Sequence, residues 1–285
     1  MREVVVATTG FFDGVHLGHR RVIETLVSRA REKGGEALVV TFWPHPRAVL
    51  QQDARSLKLL TTLEEKKEIL TSLGVDRVEV LPFSRKFAAL TAQEYVDDIL
   101  RARFSVSEVV AGYDNKIGSD GIPVAEISGL DVVPVPEFGD SHISSTIIRK
   151  LIEEGRVGEA NAMLGYEYGM KGAVVAGNRM GRKLGFPTAN MRLYEPLKLV
   201  PGNGVYAVDV EVLGRRYKGM TNIGVRPTVG GGARSVETHI LDFDEDIYGL
   251  PLKIYFRRRV RDEIRFESIE ALKAQLAKDA LNCKN

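Results

Sequence analysis

Residues 10–19 read Gly10-Phe11-Phe12-Asp13-Gly14-Val15-His16-Leu17-Gly18-His19. Ahead of them Val4-Val5-Val6-Ala7 forms an apolar run that reads as a buried β-strand. Behind them Val22, Ile23, Leu26, Val27 and Ala30 fall at helical spacing across 20–33. Strand, glycine-rich turn and helix in direct succession form the geometry in which backbone N–H groups and a helix N-terminus hold a phosphate. Gly10, Gly14 and Gly18 allow close backbone approach or positive φ. His16 and His19, three apart, share one face of the emerging helix and offer imidazoles to charge that builds on an attacked phosphorus. Two other readings stay open at this point. Asp13 caps the helix and the histidines are surface residues, or the pair binds zinc, for which no Cys or acidic ligand is obviously placed.

Outward from this turn the first half alternates strand and helix. Strands are expected at 36–42, 77–81, 108–111 and 130–135. Thr62 with Glu65, and Thr91 with Glu94, carry the capping-box spacing and open helices running to about 73 and 103. A last helix is expected over 144–154, with Ile147, Ile148, Leu151 and Ile152 on one side. Such alternation predicts a doubly wound parallel sheet, whose ligands bind beyond the carboxyl ends of the strands. Residues 10–19, Gly112 and the stretch before Ser144 all fall on that edge. In the second half, strands at 168–176, 204–212, 216–223, 235–241 and 252–258 are separated by Gly, Pro, Asn and Asp. One helix follows at 268–278, with Ile269, Leu272 and Leu276 on one face. The expected architecture is a doubly wound α/β domain over 1–155, a linker at 156–166 that includes a short helix, and a small antiparallel barrel with a C-terminal helix over 167–285.

Composition narrows the chemistry. In a chain of 285 residues, 40 basic side chains face 38 acidic ones for a net charge of +2, so no global basic field calls for nucleic acid or an anionic membrane. No apolar run approaches a membrane span, and residues 1–7 show no signal pattern. The single cysteine, Cys283, excludes an internal disulfide and a Cys/His zinc cluster and fits a reducing cytoplasm.

Two further groups carry chemistry. Ser144, Ser145, Thr146 and Arg149 stand at an expected helix N-terminus, either as an ordinary cap or as a second phosphate clamp across the same sheet edge. In Gly181-Arg182-Lys183-Leu184-Gly185-Phe186-Pro187-Thr188-Ala189-Asn190, two glycines permit a tight turn and Pro187 fixes the approach to Thr188 and Asn190. Those two offer oxygen ligands suited to Mg²⁺ held with nucleotide phosphates. The plain alternative is a loop between strands. Over 236–243, Glu237 and His239 share one face of a strand and Thr238 and Ile240 the other. A carboxylate facing a nucleotide site can take a proton from an alcohol, whereas His239 reads as structural or as a neighbour tuning Glu237.

Together His16-Leu17-Gly18-His19 and Ser144-Ser145-Thr146-Ile147-Ile148-Arg149 resemble the HxGH nucleotidyltransferase superfamily. The flanking 10–20 and Phe42-Trp43-Pro44-His45-Pro46-Arg47 look like the FAD synthetase module of bacterial bifunctional riboflavin kinase/FAD synthetases. The motifs at 181–190, 221–228 and 236–243, with 246–249 and 265–273, closely resemble riboflavin kinase. This resemblance implies a nucleotidyltransferase domain followed by a six-stranded kinase barrel. ATP, riboflavin, FMN and FAD would be substrates or products, and Mg²⁺ the metal. His16 and His19 would contact the ATP phosphates. Gly10, Phe11, Phe12, Asp13, Gly18, Asp114, Ser145, Thr146 and Arg149 would surround that nucleotide. Thr188 and Asn190 would bind Mg-ATP, with Gly181, Lys183, Gly185 and Pro187 around it. Glu237 would activate the riboflavin 5′-hydroxyl, with Asn222, Arg226 and Arg265 near the ligands. One departure stands out. Where the family has Gly-x-Asp/Asn-Phe-x-Phe-Gly, this chain has Gly112-Tyr113-Asp114-Asn115-Lys116-Ile117-Gly118, in a segment that reads as a helix too short. An alternative expectation is therefore an active kinase whose adenylylation is weakened or lost through the altered 113–143 segment.

Overall fold

The computed structural model describes residues 4–50, 57–112, 115–137, 143–177, 180–225 and 234–284. Two compact units divide at Ser145 and Thr146.

The first unit contains strands β1 (Val5–Thr9), β2 (Glu36–Trp43), β3 (Arg77–Pro82) and β4 (Val106–Gly112), the small hairpin of β5 (Lys116–Ile117) and β6 (Ile122–Pro123), and β7 (Asp131–Val135). A five-stranded parallel sheet runs in the order β3-β2-β1-β4-β7. The strand order reverses about β1, whose neighbours are β2 and β4. All five residues of β1 are buried, as a strand covered on both faces requires. Alternation along it splits the core: Val5 and Ala7 join one cluster, and Val6 joins the other with Ile23 and Leu26 of helix α1 (Leu17–Glu32).

Helices α2 (Pro46–Leu50), α3 (Leu63–Ser72), α4 (Arg85–Ala88) and α5 (Ala92–Glu94) follow in chain order. Both expected capping boxes form, Thr62 with Glu65 and Thr91 with Glu94. Beyond Glu94 the helix does not continue as an α-helix but winds as a π-helix over Tyr95–Arg103. The short α2, α4 and the β5–β6 hairpin carry too few residues for a periodic signal, and none was expected.

The second unit begins with α6 (Ser145–Glu153, its first residue shared with the boundary) and α7 (Val157–Leu164). Ile148, Leu151 and Ile152 of α6 are buried as expected, and the expected short linker helix is α7. Strands β8 (Gly169–Val175), β9 (Ala189–Leu193), β10 (Gly204–Val212), β11 (Arg215–Val225), β12 (Arg234–Ile240) and β13 (Pro251–Arg261) close into a barrel in the order β10-β11-β12-β9-β8-β13. Neighbouring strands pair antiparallel throughout. The sixth strand, β9, was not expected from the pattern, because Pro187 and two glycines upstream mask it. Helix α8 (Met180–Leu184) precedes it, and α9 (Ile269–Lys284) closes the chain.

The α9 face differs from the expected one. Ile269 is 66% exposed, while Leu276, Ala280 and Cys283 pack on Val205, Ala207 and Met220. The helix extends six residues past the expected end at 278, so its contact with the barrel shifts toward the C-terminus.

Candidate active sites

A cleft of about 590 Å³ opens at the carboxyl ends of β1, β4 and β7, where the strand order reverses and such sheets bind ligands. It is lined by Gly10, Phe11, Phe12, His16, Gly18, His19 and Ser145 among others, and Gly112, Ile143 and Ser144 lie there as expected. The turn that builds it is tightly wound. Phe12, Gly14 and Val15 all have positive φ (51°, 80° and 36°), a region that non-glycine residues rarely occupy. Side chains and backbone groups lock it in place. Gly10 N–H donates to the Val40 carbonyl at 3.1 Å. The Asp13 carboxylate accepts from Leu60 and Thr61 N–H at 3.0 Å each, and Gly14 N–H donates to Thr61 Oγ1 at 3.0 Å. Asp13 thus ties the turn to the next loop, and the cap of α1 is His16, whose Nδ1 accepts from His19 N–H at 3.4 Å.

The two imidazoles stack at 3.7 Å between centroids, with Phe12 edge-on to His19 at 5.3 Å. Burial, reinforced by the charges of His16 and Lys66, pushes the His19 pKa well below the usual histidine range, so this ring is neutral at pH 7. Among the described residues, its Nδ1 and the Thr8 hydroxyl near the end of β1 are buried without a hydrogen-bond partner. Buried polar atoms of that kind are ordinarily hydrogen-bonded, to water, an ion or a ligand where the protein does not reach them. Ser145 Oγ donates to the Asp13 carbonyl at 2.9 Å, so this hydroxyl fastens the turn. Thr146 and Arg149 stand on α6 in the second unit, Thr146 exposed and Arg149 half-buried. Asp114 lies outside the described residues. Lys66, with its ammonium at the Phe11 carbonyl, was not singled out in the sequence; no local pattern separates it from its exposed neighbour Lys67.

On the barrel, three expected residues fall in one cross-strand row. Asn222 of β11 is opposite Glu237 of β12, which is opposite Asn190 of β9. Residues directly opposite in adjacent strands share a face. Thr188 immediately precedes β9. A cleft of about 340 Å³ collects Gly181, Thr188, Asn222, Glu237 and His239, with Leu272 and Leu276 of α9 as an apolar wall. A second of about 230 Å³ shares Thr188 and takes Pro187 and residues 243–248. Asn190 is buried beside Gly177, where an added Cβ would stand 2.1 Å from its Nδ2.

As expected, Glu237 and His239 share a face and Thr238 and Ile240 are buried on the other. His239 Nδ1 bonds the Pro187 carbonyl at 2.8 Å, so it supports the segment that carries Thr188 into β9. Gly181 packs against the Phe186 carbonyl, where a Cβ would stand 2.3 Å away, and Gly185 has φ of 85°. Lys183 is exposed on α8 and Arg265 is exposed ahead of α9; neither lines a cleft. Arg226 lies outside the described residues.

Known proteins match this arrangement unit by unit. A family model for FAD synthetase matches residues 1–146, and one for riboflavin kinase matches 164–285. The bifunctional riboflavin kinase/FMN adenylyltransferase of Listeria monocytogenes is 42% identical over 96% of this chain and 90% of its own. That of Escherichia coli K12 is 37% identical over 99% of this chain and 93% of its own. A crystal structure named as a macrolide-efflux protein from Streptococcus pneumoniae is 34% identical, with a TM-score of 0.94, covering 100% of this chain and 95% of that one. Among the described residues no helix is long and apolar enough to cross a membrane. With a synthetase match on the parallel-sheet unit and a kinase match on the closed barrel, the chain belongs to the family of bifunctional riboflavin kinase/FMN adenylyltransferases.

Proposed function

We propose that the barrel transfers the γ-phosphoryl group of ATP to the 5′-hydroxyl of riboflavin, giving FMN and ADP, and that the parallel-sheet unit joins FMN to a second ATP, giving FAD and pyrophosphate. The observation that carries the first reaction is the row Asn222–Glu237–Asn190 beside Thr188. An alcohol is a poor nucleophile until its proton is taken, and Glu237 is the base we assign to that step. The riboflavin ring is assigned to the apolar wall at Leu272 and Leu276.

Thr188 and Asn190 are the residues we assign to Mg²⁺. Both offer oxygen, as a hard cation requires, with Asn190 on β9 and Thr188 immediately ahead of it. Among the described residues no group of three or more His, Cys, Asp or Glu could hold a metal. When bound, Mg²⁺ neutralises phosphate charge.

The second reaction needs no base, because the FMN phosphate arrives ionised. Positioning and charge stabilisation suffice. We assign that work to His16 and His19, with the backbone of residues 10–14 and, from α6, Thr146 and Arg149. Gly181, Lys183, Gly185 and Pro187 are assigned to the kinase nucleotide, and Asn222, Arg226 and Arg265 to neighbours of its ligands. The kinase-only alternative is not favoured, since the FAD synthetase match runs through 113–143. We place the adenylyltransferase at 1–155, the linker at 156–166 and the kinase at 167–285. We place the protein in the cytoplasm, whose reducing environment suits the free Cys283.

The test is product separation after incubation with riboflavin, ATP and Mg²⁺, which is expected to yield FMN and then FAD. Glu237→Gln is expected to slow FMN formation by about 10²–10⁴-fold while FAD still forms from added FMN. Absence of FMN from the parent protein refutes the kinase reading, and equal loss of both reactions in the variant refutes two sites.

A further inference from the structure

We propose that Lys66 is a positioning residue for adenylyl transfer: its buried ammonium grips the Phe11 backbone and ring from behind and so fixes the turn that presents His16 and His19. The proposal rests on the reading of the N-terminal cleft as the adenylylation site. Lys66 lies on the inner side of α3, one turn before the buried Leu70, where an amphipathic helix ordinarily carries an apolar side chain. It is 1% exposed. A charge so placed is costly to bury, and an apolar residue of similar size would often be as stable or more so.

The contacts show what holds it. Lys66 Nζ donates to the Phe11 carbonyl at 2.6 Å and to Thr41 Oγ1 at 3.4 Å, and lies 3.7 Å from the centroid of the Phe11 ring. The same carbonyl accepts from Thr41 Oγ1 at 3.3 Å. Phe11 and Phe12 line the cleft and Lys66 does not, so the ammonium holds from outside a residue of the surface on which this reading places a phosphate. Lys66 has a second effect. Its charge is one of the causes, after burial and His16, that keep His19 neutral. The groups facing this centre are Asp13 of the turn, Thr41 of β2, His16 and His19 of α1, and His45, whose ring lies 4.0 Å from that of Phe11. Burial, opposed by the charge of Asp13, pushes the Lys66 ammonium down to about 8. The centre therefore loses its charge on the alkaline side of neutrality, where an ordinary lysine would not.

The full-length protein is assayed for FAD formation from added FMN and ATP, with riboflavin phosphorylation in the same preparation as the control. Lys66→Met is expected to lower kcat for FAD formation by at least ~10-fold, a loss of ~1.4 kcal/mol, with a smaller change in KM for ATP and no change in the kinase rate. Lys66→Arg is expected to recover most of the rate and to lose the parent's decline above about pH 8. Histidine NMR titration supplies a readout that needs no turnover. Removing a positive neighbour raises the His19 pKa in Lys66→Met. A parental rate and a parental His19 titration in Lys66→Met, or equal loss of both reactions, overturns the proposal. If Lys66→Met fails to fold, Lys66→Arg decides: a decline that persists near pH 8 overturns it. If the parent makes no FAD, the reading of the cleft fails, and the NMR titration alone then decides whether Lys66 acts on His19.

Discussion

Removing one carboxylate, Asp279, is expected to loosen the wall of the kinase cleft. Asp279 is 1% exposed on α9, and its Oδ2 accepts from Arg261 Nε at 2.8 Å. Arg261 Nη2 reaches the same oxygen at 2.8 Å, and Gln275 Nε2 donates to Oδ1 at 2.7 Å. Arg261 ends β13, so the pair ties α9 to the barrel two turns beyond Leu272 and one beyond Leu276. Asp279→Ala leaves the guanidinium without its partner. Breaking a buried pair costs about 3–5 kcal/mol, and the Arg261 side chain, 16% exposed, regains some water, which favours the lower end at about 3 kcal/mol. For a unit the size of Thr146–Asn285 that is a fall of roughly 10 °C in its melting transition. Calorimetry on the full chain measures the fall. Kinetics should then show a raised KM for riboflavin and an unchanged rate of FAD formation from added FMN. Replacing both partners, Arg261→Met with Asp279→Leu, removes the orphaned charge and should restore most of the stability. A shift under about 2 °C in Asp279→Ala, or a double variant no better than the single one, refutes the reasoning.

Two other outcomes are expected. Gly177→Ala would bring a Cβ to 2.1 Å from Asn190 Nδ2, so the amide must move; the kinase rate should fall roughly 10-fold, about 1.4 kcal/mol, with FAD formation from FMN unchanged, and an unaltered kinase rate counts against Asn190 as a ligand. Glu108, 2% exposed, accepts from Arg29 at 2.8 and 2.9 Å and from Lys33 at 2.7 Å. Those bonds, Arg29 first, hold its pKa below the usual glutamate value against the opposing effect of burial. A lowered folded-state pKa contributes stability that is fully present above the unfolded value of about 4.3 and is lost as pH falls through the folded one. Melting of the first unit between pH 7 and pH 3 should therefore be less acid-sensitive in Glu108→Gln, and an unchanged acid slope would remove Glu108 as a source.

The fold was legible where a physical signal is local. The capping boxes at Thr62 and Thr91 fix helix starts through side chains three residues apart, and both formed. The alternation of Thr238 and Ile240 against Glu237 and His239 gave the face of β12 directly. What escaped depends on partners far along the chain. Lys66 is distinguished from Lys67 only by a carbonyl 55 residues away. β9 is short, and what makes it a strand is its pairing with β8 and β12. The row Asn222–Glu237–Asn190 is a fact of register among three strands, and no pattern within one strand reveals register. Ile269 matched a helical face but precedes the stretch of α9 that meets the barrel, so it stays in solvent.

The nucleophiles explain why the two proposed sites look so different. An alcohol must lose a proton as it attacks, so the kinase site needs a carboxylate that points at its ligand. The half-buried Glu237 faces a cleft, flanked in its row by two neutral amides that do not compete for its charge. A phosphate monoester is already charged, so the adenylylation site gains from rigid hydrogen-bonding groups and fixed cations. Its turn has Phe12, Gly14 and Val15 at positive φ, is anchored by Asp13 and Ser145, and carries a neutral, half-buried imidazole. Backbone held at unfavourable dihedrals persists only where its surroundings over-determine it. Here the ammonium of Lys66, the carboxylate of Asp13 and the hydroxyls of Thr61 and Ser145 all make bonds that hold residues 11–14. In the proposed kinase site the chemistry is assigned to one carboxylate, that of Glu237. In the adenylylation site the scaffold beneath the turn sets the geometry, which is why substitutions behind that turn, at Lys66 above all, should tell on the rate as strongly as substitutions in the cleft.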